Sequence, residues 1–239
     1  MPDKQPVDDI SEQLRAIRAK RGYLLPHHGL MAVTDPGLLS AYDATYSALT
    51  LAERELSRHD HETVWLAILI ATDEALATHH IPKFLDAGGS AQEFTRILSL
   101  TAFLKGFGAY RFIEQHWRTH LPGVEVEKAY LQGFAAASQG LDSRLAHLCA
   151  VSVHTCTAAW DALAWHLCAA YQAQVPETEL AEALSLTMFP GSVPYFVEAA
   201  AVWRQLILDG RVSPSAAFRT WAEIAGQGGY DEAKADSQP

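Results

Sequence analysis

The sequence predicts an all-α protein, and three observations carry that prediction. No stretch alternates apolar and polar residues with a period of two, several stretches space apolar residues as a helix face does, and those stretches open on capping residues and close on glycine. Ile10, Leu14 and Ile17 form the first stripe, in a helix from Ile10 to Arg21 that stops near Gly22. Residues 1–9 ahead of it are polar and are expected to be loosely attached. Tyr23 to Gly29 reads as an extended connector. Asp35-Pro36 supplies a cap and a first-turn proline, and Leu38, Leu39, Tyr42, Tyr46 and Leu49 carry a second helix to Leu51. Ser57 to Glu62 opens a central helix whose apolar residues, Val64 to Ile70, run almost all the way round, so it is expected to be buried on most sides. Thr72 and Asp73 can each accept a bond from backbone N–H groups that follow, which predicts a break and restart there. Pro82 then falls in the first turns of the restarted helix, and Gly88-Gly89 ends it. Ser90-Ala-Gln-Glu93 has the form of a capping box and begins the next helix, with Phe94, Ile97 and Leu98; Gly106 and Gly108 interrupt the pattern before Tyr110 to Trp117.

Leu121-Pro-Gly123 is the clearest internal boundary, and after it the chain starts again. Ala129-Tyr130 answers Ala41-Tyr42, and Leu145 to Val153 answers Val64 to Ile70. At an offset of 86, His80 maps to His166, Glu93 to Glu179, Leu98 to Leu184, Phe103 to Phe189, Tyr110 to Phe196, and Trp117-Arg118 to Trp203-Arg204. The pattern predicts two tandem repeats of an all-helical unit of about 85 residues. The organisation that follows is an N-terminal helix over 1–22, a first, site-bearing repeat over 23–121, a second, degenerate repeat over 124–225, and a polar, mobile tail over 226–239.

Composition narrows the function classes. A chain of 239 residues that is 49% hydrophobic and 19% charged can bury a sizeable core. A net charge of −10 without a basic stripe argues against nucleic acid as a partner, because neutralising phosphates needs clustered Lys and Arg. The cluster Arg15, Arg18, Lys20 and Arg21 reads as a solvated helix face. The uncharged run Thr63 to Thr72 is far below the roughly 20 residues that cross a bilayer. Met1-Pro-Asp-Lys-Gln5 has no signal-peptide core, so no membrane partner and a cytoplasmic location are expected. Cys149, Cys156 and Cys168 are odd in number and lack C-x-x-C spacing, so neither a disulfide framework nor a zinc knuckle is indicated. His59-Asp60-His61 and His79-His80 invite a metal, but adjacent helical side chains point about 100° apart and no His pair there sits at i and i+4; no metal is expected.

Chemistry concentrates at the end of the central helix, where Asp73, Glu74, His79 and His80 follow the most apolar run in the chain. The order of an acidic residue, an apolar helix, a pair of reactive positions, a His, and then a Gly with Ser-x-x-Glu resembles the carboxymuconolactone decarboxylase and alkylhydroperoxidase D-like superfamily. His80 to Gly88 spans the expected eight residues, and Ser90-Ala-Gln-Glu93 completes the turn, so His80 carries the match better than His79. Where peroxidase members carry cysteines, seven and four residues before the His, this chain has Asp73 and Leu76, and its second copy has Ala159 and Ala162. Neither pair can form a sulfenic acid or a disulfide.

The resemblance therefore implies a decarboxylase-type, cofactor-free lyase acting on a small lactone or carboxylic acid from aromatic-compound catabolism. His80 would be the acid/base, Asp73, Glu74 and Glu62 its catalytic companions, and His27, His79 and His166 substrate contacts. Glu62 stands eighteen residues before His80 where the family pattern has nineteen, which leaves open whether His61, Glu62 or neither fills the acid position. In a straight helix Glu62 would be about 27 Å from His80, so the two meet only if the chain folds back or another copy supplies the acid. Helices this apolar on several faces usually bury surface between subunits, so a homo-oligomer is expected, with three duplicated chains in a ring, mimicking six single units, as the first expectation. The alternatives are a non-catalytic binding or assembly protein on the same fold, and a thiol-based antioxidant enzyme relying on Cys156.

Overall fold

Helices supply the regular structure of the described residues, 7–229 and 232, in the computed structural model, and no strand occurs among them. The chain divides into two compact units, Met1–Glu53 and Arg54–Pro239.

The N-terminal unit holds α1 (Val7–Arg21), α2 (Pro26–Thr34) and α3 (Pro36–Tyr46), followed by a π-turn over Ser47–Leu51. Helix α1 begins three residues earlier than the periodicity predicts, because Asp8 and Asp9 in its first turn complement the N-terminal dipole; residues 1–6 lie outside the described residues. The expected connector to Gly29 is also corrected. Pro26 occupies a first-turn position, where its missing N–H costs nothing, so α2 starts there and only the residues just before it are irregular. Asp35 caps α3 by accepting from the Leu38 N–H, as predicted. Ile17, Ala32 and Leu39 form this unit's own core.

The second unit is built on two buried helices, α4 (Arg58–Ala71) and α9 (Ser143–Cys156), which pack against each other. Helices α5 (His80–Asp86) and α6 (Ala91–Lys105) pack on α4, while α10 (Trp160–Gln172) and α11 (Glu177–Ser185) pack on α9. Between these groups run α7 (Phe107–Phe112) and α8 (Val126–Ala137); α12 (Val193–Leu208) and α13 (Ala216–Glu223) follow. Leu121-Pro-Gly123 forms a turn inside this unit, and α6 contacts both α8 and α9 beyond it. The tail positions 230, 231 and 233–239 lie outside the described residues.

Helices α4 and α9 begin and end alike. Ser57 caps α4 by accepting from the Asp60 N–H, and Asp142 caps α9 by accepting from the Leu145 N–H. Each helix ends on a threonine, Thr72 or Thr157, whose hydroxyl bonds back to the carbonyl four residues earlier. A left-handed residue follows, Asp73 at φ 56° and Ala158 at φ 50°, and then a backbone bond closes the turn, Glu74 N–H to the Leu69 carbonyl and Ala159 N–H to the His154 carbonyl. All these pairs are 85 residues apart.

What comes next differs. Helix α10 starts at once, whereas α5 waits until His80. Pro82 explains the delay: its ring would clash with the carbonyl of residue 78 in a continuous helix, but within the first three positions its missing N–H is no loss. The second half has Cys168 at the matching place, 86 residues on, and is free of that constraint. The break at Thr72-Asp73 is therefore present, but the restart is displaced to His80. Gly88, at φ 96°, ends α5, and a Cβ on Gly89 would collide with the Phe84 ring at 2.4 Å, so the double glycine is a packing requirement as well as a stop.

Candidate functional site

Glu62 lies in the first half of α4 and His80 at the first position of α5, and the fold-back between them brings the two together. Nine residues lead from Glu62 to Ala71 at the end of α4, and nine more lead back from Ala71 to His80. The Glu62 Oε2 and His80 Nδ1 atoms are 2.7 Å apart, and the residues are 6% and 2% exposed. Of the two neighbouring residues, Glu62 bonds His80 and His61 does not. The His80 Nδ1–H donates to the carboxylate, which leaves Nε2 as the basic atom of the ring; it makes no hydrogen bond among the described residues. Burial holds the His80 pKa below the ordinary histidine value, and the Glu62 bond opposes that shift without cancelling it.

The indole of Trp65 lies parallel to the imidazole, with ring centroids 4.7 Å apart and an interplanar angle of 25°. Its Nε1–H donates to His61 Nε2 at 3.0 Å, and His61 Nδ1 bonds Glu182 Oε1 at 3.2 Å. Glu182, 1% exposed on α11, also accepts from the N–H groups of Glu55 and Leu56. Burial raises its pKa, but these donors outweigh burial and hold the carboxyl below its usual range.

The other expected catalytic companions lie outside this network. Asp73 faces solvent with its side chain 84% exposed and pairs with Lys105 at 3.0 Å, because its left-handed turn directs it away from the α4–α5 contact. Glu74 accepts from the Leu76 N–H within the turn. Both rim a pocket of about 470 Å³ whose walls include Leu66, Leu69, Ile70, Ile81 and Phe94. His79 packs beside His80 with ring centroids 4.3 Å apart. His27 belongs to the N-terminal unit, where its ring packs on His28 and Tyr42.

His166 sits in a second buried cluster. The Tyr130 hydroxyl lies 2.6 Å from His154 Nε2 and 2.8 Å from His166 Nε2, while His166 Nδ1 lies 3.2 Å from His147 Nδ1. One hydroxyl hydrogen can serve only one imidazole, so Tyr130 donates to one ring and accepts from the other. Burial pushes the pKa of His147 down to about 4 and that of His154 to about 3, and it lowers His166 as well, so these rings are neutral at neutral pH. Sequence reasoning missed His147, His154 and Tyr130 as a group. The available signal was two histidines inside an apolar run, with His147 nineteen residues before His166. Glu182 left no comparable signal.

Burial pushes the Cys149 and Cys156 thiols up to about 12 and raises Cys168 as well, which disfavours the thiolate form. Among the described residues no group of three or more His, Cys, Asp and Glu side chains is arranged to hold a metal ion, and no helix is long and apolar enough to cross a membrane. Compared with family models, with curated proteins and with solved structures, the chain matched none.

Proposed function

We propose that the chain is a tandem-duplicated, carboxymuconolactone decarboxylase-like lyase whose acid/base is His80 and whose charge partner is Glu62. The single observation that carries this reading is the 2.7 Å contact between these two residues, eighteen positions apart, in the acid-then-histidine order of the family pattern. The matched caps, threonine ends and left-handed turns of α4 and α9 support the duplication. The substrate class is a small lactone or carboxylic acid. In the proposed step the bond from carbon to carboxylate breaks, carbon dioxide leaves, and the electron pair stays on the substrate as an enolate. Protonated His80 then delivers the Nε2 proton to carbon and is reprotonated from solvent, the hydroxide left by water combining with the released carbon dioxide as bicarbonate, while Glu62 stabilises the imidazolium. The 470 Å³ pocket supports a place for the substrate. Glu62 and His80 do not line it, but Leu66, one helical turn beyond Glu62, and Ile81, next to His80, do, and Lys105 pairs with Asp73 on its rim.

The test is carbon dioxide release from a panel of small lactone acids. The lyase reading expects turnover that His80→Ala and Glu62→Gln abolish without changing oligomeric state; turnover that survives both substitutions rejects it. A non-catalytic binding or assembly protein is the second reading, favoured by one observation, the 2% exposure of His80. It expects no release from any member of the panel. We carry the homo-oligomer into the same proposal. Ile81 and Leu85 lie exposed one turn apart on α5, a face that a second subunit would cover, and sedimentation velocity checks it.

A further inference from the structure

We infer that Glu182, supplied by the opposite half of the second unit, is a positioning residue that locks the Trp65 indole against His80 through His61. The inference rests on the reading of His80 as the acid/base, and it extends the machinery to a residue 120 positions from Glu62 in sequence.

The direction of each bond carries the argument. Glu182 can only accept, and it already holds the N–H groups of Glu55 and Leu56 on one oxygen, so the other oxygen takes the His61 Nδ1–H. A neutral imidazole with hydrogen on Nδ1 has a lone pair on Nε2, and that lone pair accepts the indole N–H of Trp65. Trp65 can only donate. The carboxylate therefore sets the tautomer of His61, the tautomer fixes the indole plane, and the indole presents its π-face to His80 at 4.7 Å. A ring face over an imidazole stabilises the protonated form, so the array favours the charged state of His80 that proton transfer requires. The charged and titratable groups that face His80 are Glu62, His61, His79 and Lys83; Glu62 and the indole face favour its cation, while Lys83 opposes it and His61 would do so only if protonated.

Glu182→Gln is the informative substitution because it keeps the shape and reverses one bond. The carbonyl of the introduced amide can still accept from Glu55 and Leu56, but its NH₂ then faces His61 Nδ1. That arrangement forces hydrogen onto His61 Nε2, where it confronts the indole N–H donor to donor. The experiment is NMR of the full chain, following the Trp65 indole N–H resonance, assigned by Trp65→Phe, and the titration of His80. We expect Glu182→Gln to move the indole resonance and to lower the His80 midpoint by about one pH unit. His61→Gln, whose NH₂ can serve Glu182 and whose carbonyl can serve Trp65, is expected to keep the His80 midpoint closer to wild type than His61→Leu does. Wild-type indole and His80 signals in Glu182→Gln would overturn the inference, as would equal midpoints in the two His61 variants. If Glu182→Gln does not fold, the two His61 variants decide. Both readouts exist without turnover, so an inactive chain would reject the lyase reading and leave this inference standing or falling on its own signals.

Discussion

The two buried histidine sites of the second unit differ in what satisfies the imidazole. In the first half a carboxylate, Glu62, takes one nitrogen of His80 and leaves the other without a hydrogen bond among the described residues. In the second half His147 stands 85 residues after Glu62, His166 stands 86 after His80, and Tyr130 occupies the nitrogen that is open in His80. An anion can support a transient positive charge, whereas a ring of neutral imidazoles closed by a phenol cannot. The difference teaches that a matched histidine is not a matched environment: the partner residue decides whether a charge on the ring would be supported.

The comparison can be broken most sharply at the partners. On the proposed lyase reading, Glu62→Gln is expected to lower carbon dioxide release at least about 100-fold, in the range that general acid–base catalysis contributes, while His147→Gln changes it less than about twofold. Similar losses in steady-state assays of both variants would erase the distinction between the sites.

The second comparison is of stability. Tyr130→Phe strips the shared hydroxyl from His154 Nε2 and His166 Nε2 in a sealed core, and urea unfolding is expected to show a loss of about 1–3 kcal/mol with turnover intact. Acid should find the same cluster. The folded pKa values of His147 and His154 lie below the ordinary value near 6.5, so below that pH the unfolded chain binds more protons than the folded one. Their contribution is complete above pH 6.5 and is lost as pH falls toward about 4 for His147 and about 3 for His154. His59 has the opposite sign. Burial lowers its pKa, but its bonds to Glu93 and Asp60 outweigh that and raise it, so its contribution is complete below 6.5 and fades as pH rises through the raised value. A melting temperature that climbs from pH 4 to 6.5, and climbs less in His147→Leu, sharpens the assignment; a flat profile breaks it.

The smallest effect belongs to the matched turns. Ala158 holds φ 50° with a Cβ and no compensating bond from its side chain, and Ala158→Gly should stabilise the chain by about 0.5–1 kcal/mol in urea. Asp73→Gly at the equivalent turn should gain less, because it also removes the exposed pair with Lys105.

Much of the helical order was legible in the sequence because caps, prolines and glycines act locally. Ser57, Asp35, Ser90, Gly88 and the break at Thr72 could each be read from a few neighbouring residues. Pro26 and Pro82 are less legible, since the same missing N–H that breaks a helix interior is welcome at its start. The candidate site was legible as His80, and as the open choice between Glu62 and His61. Asp73 and Glu74 drew attention by proximity in sequence, and a left-handed turn sent Asp73 into solvent.

The sequence by itself determined the all-helical class and the buried character of α4, because periodicity and capping are properties of short segments. Only the tertiary structure decided that Glu62 reaches His80, that Glu182 stands behind His61, and that Tyr130 closes the second cluster. Those contacts join residues up to 121 positions apart, and side-chain bonds at such separations follow from how helices fold back and pack, which no local pattern encodes.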